Sequence, residues 1–135
     1  MANAIFPLAK QAFLSASINF TSDTIRVALL PTSATFNSAN QFYSSYSGSV
    51  IGSPQQITSP TVTNGVFNGA SVTFTAVASG STVGALLIYK DTGTTTTSPL
   101  VAWIDTGSGG AISVPTNGGN ITVTWDTGAN KIFAL

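Results

Sequence analysis

From Thr24 to Pro31, and again after Pro54, the chain is a series of short runs in which apolar residues recur at every second position or fill the run. Each run is punctuated by Gly, Asn, Pro or Thr. A period of two is the spacing of side chains on one face of an extended strand, so this pattern restricts the fold to sheets joined by tight turns. Ile25, Val27 and Leu29 alternate with Arg26 and Ala28 until Pro31, which predicts a first strand. Thr61-Val62-Thr63 and Val66-Phe67-Asn68 flank Asn64-Gly65. That dipeptide accepts the positive φ that a type I′ turn needs at both central positions, and a hairpin is predicted there. Val72, Phe74 and Ala76 alternate with Ser71, Thr73 and Thr75, giving a strand with one wet face. Gly84 to Lys90 and Leu100-Val101-Ala102-Trp103-Ile104-Asp105 are continuous apolar runs and read as strands covered on both faces. Ile121, Val123 and Trp125 alternate with Thr122, Thr124 and Asp126, and Ile132 to Leu135 reads as a last short strand.

The N-terminal part has a different period. Pro7 suits a first helical position, and Ala9, Ala12 or Phe13, and Ala16 follow at helical spacing with Lys10 and Gln11 off that stripe. A helical segment within residues 1–20 is therefore predicted, ended by Ser17 to Asp23. Residues 32–56 lack periodicity and are expected to form an irregular excursion, with Asn37-Ser38 placed to cap a short turn through Tyr46. Its aromatics, Phe36, Phe42, Tyr43 and Tyr46, are expected to pack against the core or a partner. The fold class expected is mainly β: an antiparallel β-sandwich, jelly-roll or immunoglobulin-like, with one N-terminal α-helix, in a single domain over residues 1–135. A chain of this length buries about two thirds of its surface on folding, enough for a core without covalent staples.

Charge narrows the functions open to such a fold. Four cations and four acids cancel, and only 6% of residues are charged where ordinary domains carry about 25%. Twenty Thr and seventeen Ser take their place; Thr is β-branched and fills the exposed side of a strand without charge. Uncharged strand edges invite pairing, so they are expected to be hidden or docked on a partner. Four cations neutralise at most four phosphates, too few for binding driven by counterion release, and no nucleic-acid partner is expected. With no Cys and no His there is no disulfide framework, zinc-thiolate site or imidazole base, and no metal or cofactor is expected. The first residues have no basic stretch, Lys10 interrupts their apolar run, and the longest apolar run, Ala85 to Tyr89, is far short of a membrane span. Neither a secretory signal nor a membrane segment is expected.

All four acids are Asp, and three open the tripeptide Asp-Thr-Gly: Asp91-Thr92-Gly93, Asp105-Thr106-Gly107 and Asp126-Thr127-Gly128. Aspartic proteases carry this signature where two strand-end carboxylates share one proton. Ile104-Asp105-Thr106-Gly107-Ser108 is the best match, and a homodimer of this chain would supply both halves. The competing reading is turn chemistry, in which Asp accepts backbone N–H groups and Gly supplies positive φ. Three copies at three strand ends favour the turn. Gly107-Ser108-Gly109-Gly110 and Asn117-Gly118-Gly119-Asn120 precede no helix and carry no Lys, so a phosphate cradle is not expected. No segment has the alternating acids of a calcium loop. Trp103, Trp125 and Tyr89 would suit a sugar platform, but their place in apolar strands favours core packing.

Further stretches carry a resemblance. Met1-Ala2-Asn3-Ala4-Ile5, Thr61 to Phe67 leading into Val72-Thr73-Phe74-Thr75, Ala85 to Gly93, Ile104-Asp105-Thr106, Asn117-Gly118-Gly119 and Trp125 to Phe133 resemble small β-rich virion structural proteins of tailed bacteriophages. The likeness covers almost the whole chain, with Ala34 to Gln56 departing most. It implies a head decoration, or cement, protein: a non-enzymatic module, commonly a trimer, that clamps neighbouring major capsid protein subunits on the outer surface of the head after synthesis in the host cytoplasm. The alternatives are a tail-associated or fibre module that binds a host-surface glycan, and a small protease using Asp105. The residues singled out for partner contact are Phe6, Phe36, Phe42, Tyr43 and Tyr46, with the protomer's own core an equal use for Phe6.

Overall fold

The computed structural model describes residues 3–135; Met1 and Ala2, counted above in the helical segment and in the resemblance, lie outside the described residues. In chain order the elements are β1 (Ala4–Ile5), α1 (Pro7–Leu14), β2 (Ile25–Pro31), β3 (Ile51–Gln56), β4 (Thr61–Thr63), β5 (Val66–Asn68) and β6 (Val72–Phe74). They continue with β7 (Thr82–Lys90), β8 (Leu100–Ile104), β9 (Thr106–Gly107), β10 (Gly110–Ala111), β11 (Val114–Pro115), β12 (Ile121–Val123) and β13 (Phe133–Ala134). The chain is mainly β, antiparallel and sandwich-like, with one helix.

The main sheet has the order β1-β8-β7-β2-β3, with β11 paired to the start of β7. It divides two cores. Along β2, Val27 and Leu29 enter one core while Ala28 and Leu30 enter the other; along β7, Leu86 and Ile88 oppose Ala85, Leu87 and Tyr89. Strands apolar on both faces need cover on both faces, which is why the β7 run lacks alternation; β2 alternates in sequence, but its Ala28 and Leu30 are buried in the second core as fully as Val27 and Leu29 are in the first. The first core is closed by the smaller sheets β4-β5-β13 and β6-β12 through Phe67, Val72, Phe74 and Ile132. The second is closed by Phe6 and Ala9 of the N-terminal segment and by Tyr43 and Tyr46.

Three bulges set which side chain faces which core. Leu30 pairs with Ala85 and Pro31 with Val83, leaving Gly84 as an extra residue. Val83 therefore faces the first core and Ala85 the second. A Cβ on Gly84 would stand 2.6 Å from the Cα of Thr32, so only glycine fits this crossing. Ile88 pairs with Ala102 and Tyr89 with Leu100, which leaves Val101 as the extra residue and puts it beside Ala102 in the first core. The third lies between Val27 and Leu29, opposite Gly52, Ser53 and Pro54 of β3.

Several boundaries differ from expectation. The helix ends at Leu14 rather than running through Ala16, which has φ +58° outside it. The excursion ends in a strand, because residues 51–56 form β3 on the sheet edge, where Pro54 and the positive φ of Gly52 are tolerated. The turn at Asn37 is confined to 37–40, and Tyr43–Ser45 and Ser47–Ser49 form separate 3₁₀ turns. Ala76 has φ +48° and lies beyond β6, and Trp125 lies beyond β12. The 61–68 hairpin is as expected, with Asn64 at φ +51°, Gly65 at +78° and Thr63 opposite Val66.

Candidate functional site

Four of the eight charges meet at one end of the main sheet. Antiparallel register places Ile25 opposite Lys90 and Arg26 opposite Tyr89, so the charged ends of β2 and β7 coincide. Arg26 Nε donates to Asp91 Oδ2 at 2.6 Å, and Lys90 Nζ lies 3.1 Å from Asp23 Oδ2 while donating to the Ser17 carbonyl at 2.9 Å. Both pairs are half-buried. The Gly93 N–H and the Arg26 guanidinium hold the Asp91 carboxyl below the usual carboxylate range. Alongside, the rings of Tyr43 and Tyr89 stack at 4.0 Å and 5°. Burial pushes both phenols above their ordinary range, Tyr89 the further, helped by Tyr43 and Asp91. The chain has no charged residue between Arg26 and Lys90. This cluster closes that uncharged stretch, and the two ends of the charge gap were the signal in the sequence that marked it.

The three Asp-Thr-Gly tripeptides do two different jobs. Asp91 Oδ1 accepts the Gly93 N–H at 2.8 Å and Asp126 Oδ1 accepts the Gly128 N–H at 3.1 Å, both as turn devices, although of the two glycines Gly93 alone, at φ +89°, supplies the positive φ expected. Asp105 departs from that reading, because Gly107 continues into β9 and the chain reverses later, at Ser108-Gly109, with Gly110 at φ +99° opposite Gly107. Its Oδ2 accepts the Trp103 indole N–H at 3.0 Å and its Oδ1 accepts the Thr106 hydroxyl at 3.1 Å. Asn3 clips this corner: its Oδ1 accepts the N–H groups of Asp105 and Thr106, and its Nδ2 donates to the Thr106 carbonyl. The carboxylate of Asp105 thus orients a buried indole, while Asn3 ties the N-terminal segment to the backbone just after β8.

The aromatic residues singled out for partner contact mostly serve the protomer. Phe6 is 0% exposed, and Tyr43 and Tyr46 are buried with it, so these rings reach a partner only by leaving the core. Phe36 and Phe42 are half-buried. Phe36 packs on Phe6 at 4.9 Å and on Trp103 at 6.0 Å, and the Tyr46 hydroxyl donates to the Thr35 carbonyl and accepts the Asn37 N–H. Trp103 and Tyr89 are buried in the same core, and half-buried Trp125 donates its indole N–H to the Ala70 carbonyl. These rings are not gathered on one exposed platform.

The open features among the described residues include strand edges of unequal protection and a neutral groove. The groove, about 680 Å³, runs between β3 and residues 74–81; it is lined by Ser53, Gln55, Thr75 and Ser79 among others and by no charged residue. Of the main sheet's edges, β1 is two residues long and β3 carries a bulge and Pro54, which are the usual ways of blunting an edge without charge. The expected docking edges are therefore largely guarded. In the β4-β5-β13 sheet, β4 is outermost and exposed at all three residues. Among the described residues no three His, Cys, Asp or Glu cluster to hold a metal, and no helix is long and apolar enough to cross a membrane. Comparison with protein families, curated proteins and solved structures returned no match.

Proposed function

We propose that this chain is a non-enzymatic structural protein of a tailed-bacteriophage virion, a decoration protein that stabilises the head by bridging major-capsid subunits as a homo-oligomer, with a trimer favoured for the copies held on the capsid. The observation that carries the reading is the neutral surface: no charge lies between Arg26 and Lys90, and the charges at the ends of that stretch neutralise each other in pairs. A surface of Thr, Ser and amide groups docks by shape and main-chain pairing, with little dependence on salt, and many copies in a lattice add avidity to a weak single contact. The use of Asp105 as a positioning group for Trp103 is in keeping with a scaffold rather than a protease. Purified particles are expected to hold this chain at a copy number comparable with the capsid lattice. Particles lacking it are expected to assemble and to lose heat stability. A count of only a few copies, or placement on the tail by electron microscopy, would overturn the reading.

A further inference from the structure

The β4-β5 hairpin has a two-residue type I′ loop, so its closing residues Thr63 and Val66 form a hydrogen-bonded pair that points its main-chain groups inward. Alternation then makes Val62 and Phe67 a non-hydrogen-bonded pair. The N–H and C=O of Val62 point away from β5, toward the open side of the sheet, while those of Thr61 and Thr63 point inward. The next outward position on one side is Pro60, which has no N–H, and on the other is Asn64. This edge therefore offers one complete donor and acceptor pair, centred on Val62, which is 50% exposed.

We propose that β4 pairs with β4 of a second copy of this chain across a two-fold axis centred on Val62. The sequence Thr61-Val62-Thr63 is the same in both directions, so antiparallel pairing sets Val62 against Val62 and each Thr61 against a Thr63. The two Val62 residues then exchange both N–H···O=C bonds, and each Asn64 N–H faces a Pro60 carbonyl, so the missing proline N–H is not needed. A two-fold contact must be self-complementary, and this register is. Facing Thr pairs are favourable across strands, and the chain already uses one, between Thr73 and Thr122 Oγ1 at 3.2 Å. Charge points to the same occupant: with none between Arg26 and Lys90, two copies meet at this edge without repulsion. By contrast β3 is guarded by its bulge and Pro54, β1 and β13 are two residues long, and the chain leaves β12 toward Asp126. The inference goes beyond the decoration reading and does not depend on it.

The contact is small, so a weak association is expected, with a dissociation constant on the order of 0.1–1 mM, well short of a standard interface. Sedimentation of the purified chain from about 10 µM to 2 mM is expected to move the weight-average mass from the monomer toward twice 13.7 kDa. Over the same series the Val62 amide is expected to gain protection from hydrogen exchange with concentration, whereas Thr61 and Thr63 stay protected throughout. Val62→Pro removes the outward N–H without touching the hairpin's own bonds, and Val62→Lys puts like charges face to face; each is expected to give a folded monomer at 2 mM, about the top of that range. A wild-type chain that stays monomeric at that concentration overturns the proposal, as does self-association that survives both substitutions or leaves the Val62 amide equally exchangeable.

Discussion

Ala16 stands where a helix most often places glycine. The Ser17 N–H donates to the Ala12 carbonyl at 2.8 Å and the Ala16 N–H to the Phe13 carbonyl at 3.2 Å, the paired closure in which the residue past the cap turns left-handed. A Cβ at φ +58° opposes that conformation. Ala16→Gly is therefore expected to stabilise the fold by about 0.5–1 kcal/mol, the relief of that strain outweighing glycine's extra freedom in the unfolded chain. Urea denaturation should show a higher midpoint at unchanged slope, and an unchanged or lower midpoint would contradict this helix ending. Nothing in the local sequence betrayed it, because Ala16 continues the apolar spacing of Ala9 and Ala12. The Asp-Thr-Gly copies carry the same lesson. Identical letters serve as turns at Asp91 and Asp126 but hold Trp103 at Asp105, and the difference lies in whether the glycine turns or stays in a strand.

At the scale of elements, what could be read from the sequence were features with a local cause. Asn64-Gly65 specifies its own turn, and the apolar runs around Leu87 and Val101 need cover on both faces wherever they lie. The strand β3 was hidden because Gly52, Ser53 and Pro54 are turn-forming residues that only an edge position accommodates. The bulges were hidden too, since a single extra residue transfers every later side chain to the opposite face without changing composition. Gly84 is where this is tightest. Gly84→Ala drives a methyl into the Thr32 backbone and is expected to cost about 1–3 kcal/mol, with far-ultraviolet circular dichroism unchanged and the urea midpoint lowered. The same substitution at Gly48, where an added Cβ meets nothing within 4 Å, serves as the control and should leave the midpoint near that of the wild type.

For the molecule as a whole, the shifted groups lie at the two ends of the pH scale. Asp91 titrates below its ordinary value of 3.8 in the fold, so its contribution is complete above that value and is lost as pH falls through the lowered one. Tyr43 and Tyr89 titrate above their ordinary value of 10.0, so their contribution is complete below it and is lost as pH rises further. With no histidine in the chain, the thermal midpoint is expected to be level between about pH 5 and 9 and to fall on either side. Asp91→Asn should flatten the acid limb and Tyr89→Phe the alkaline limb, and a midpoint sloping through neutrality would contradict the assignment. The partner-contact residues named from the sequence were the least legible feature at this scale, since an aromatic ring that fills its own core and one that fills a neighbour's have the same local signature. The ion-pair cluster carries one more consequence, for the order of events as the chain folds. Arg26 and Asp91 stand 65 residues apart, so joining their strands means closing a long loop at an entropic cost of about 4 kcal/mol. The ladder between β2 and β7 can repay that cost only once β7 has been synthesised, so on emerging from the ribosome β2 has only the bulged edge strand β3 to pair with, and its other edge must wait for β7.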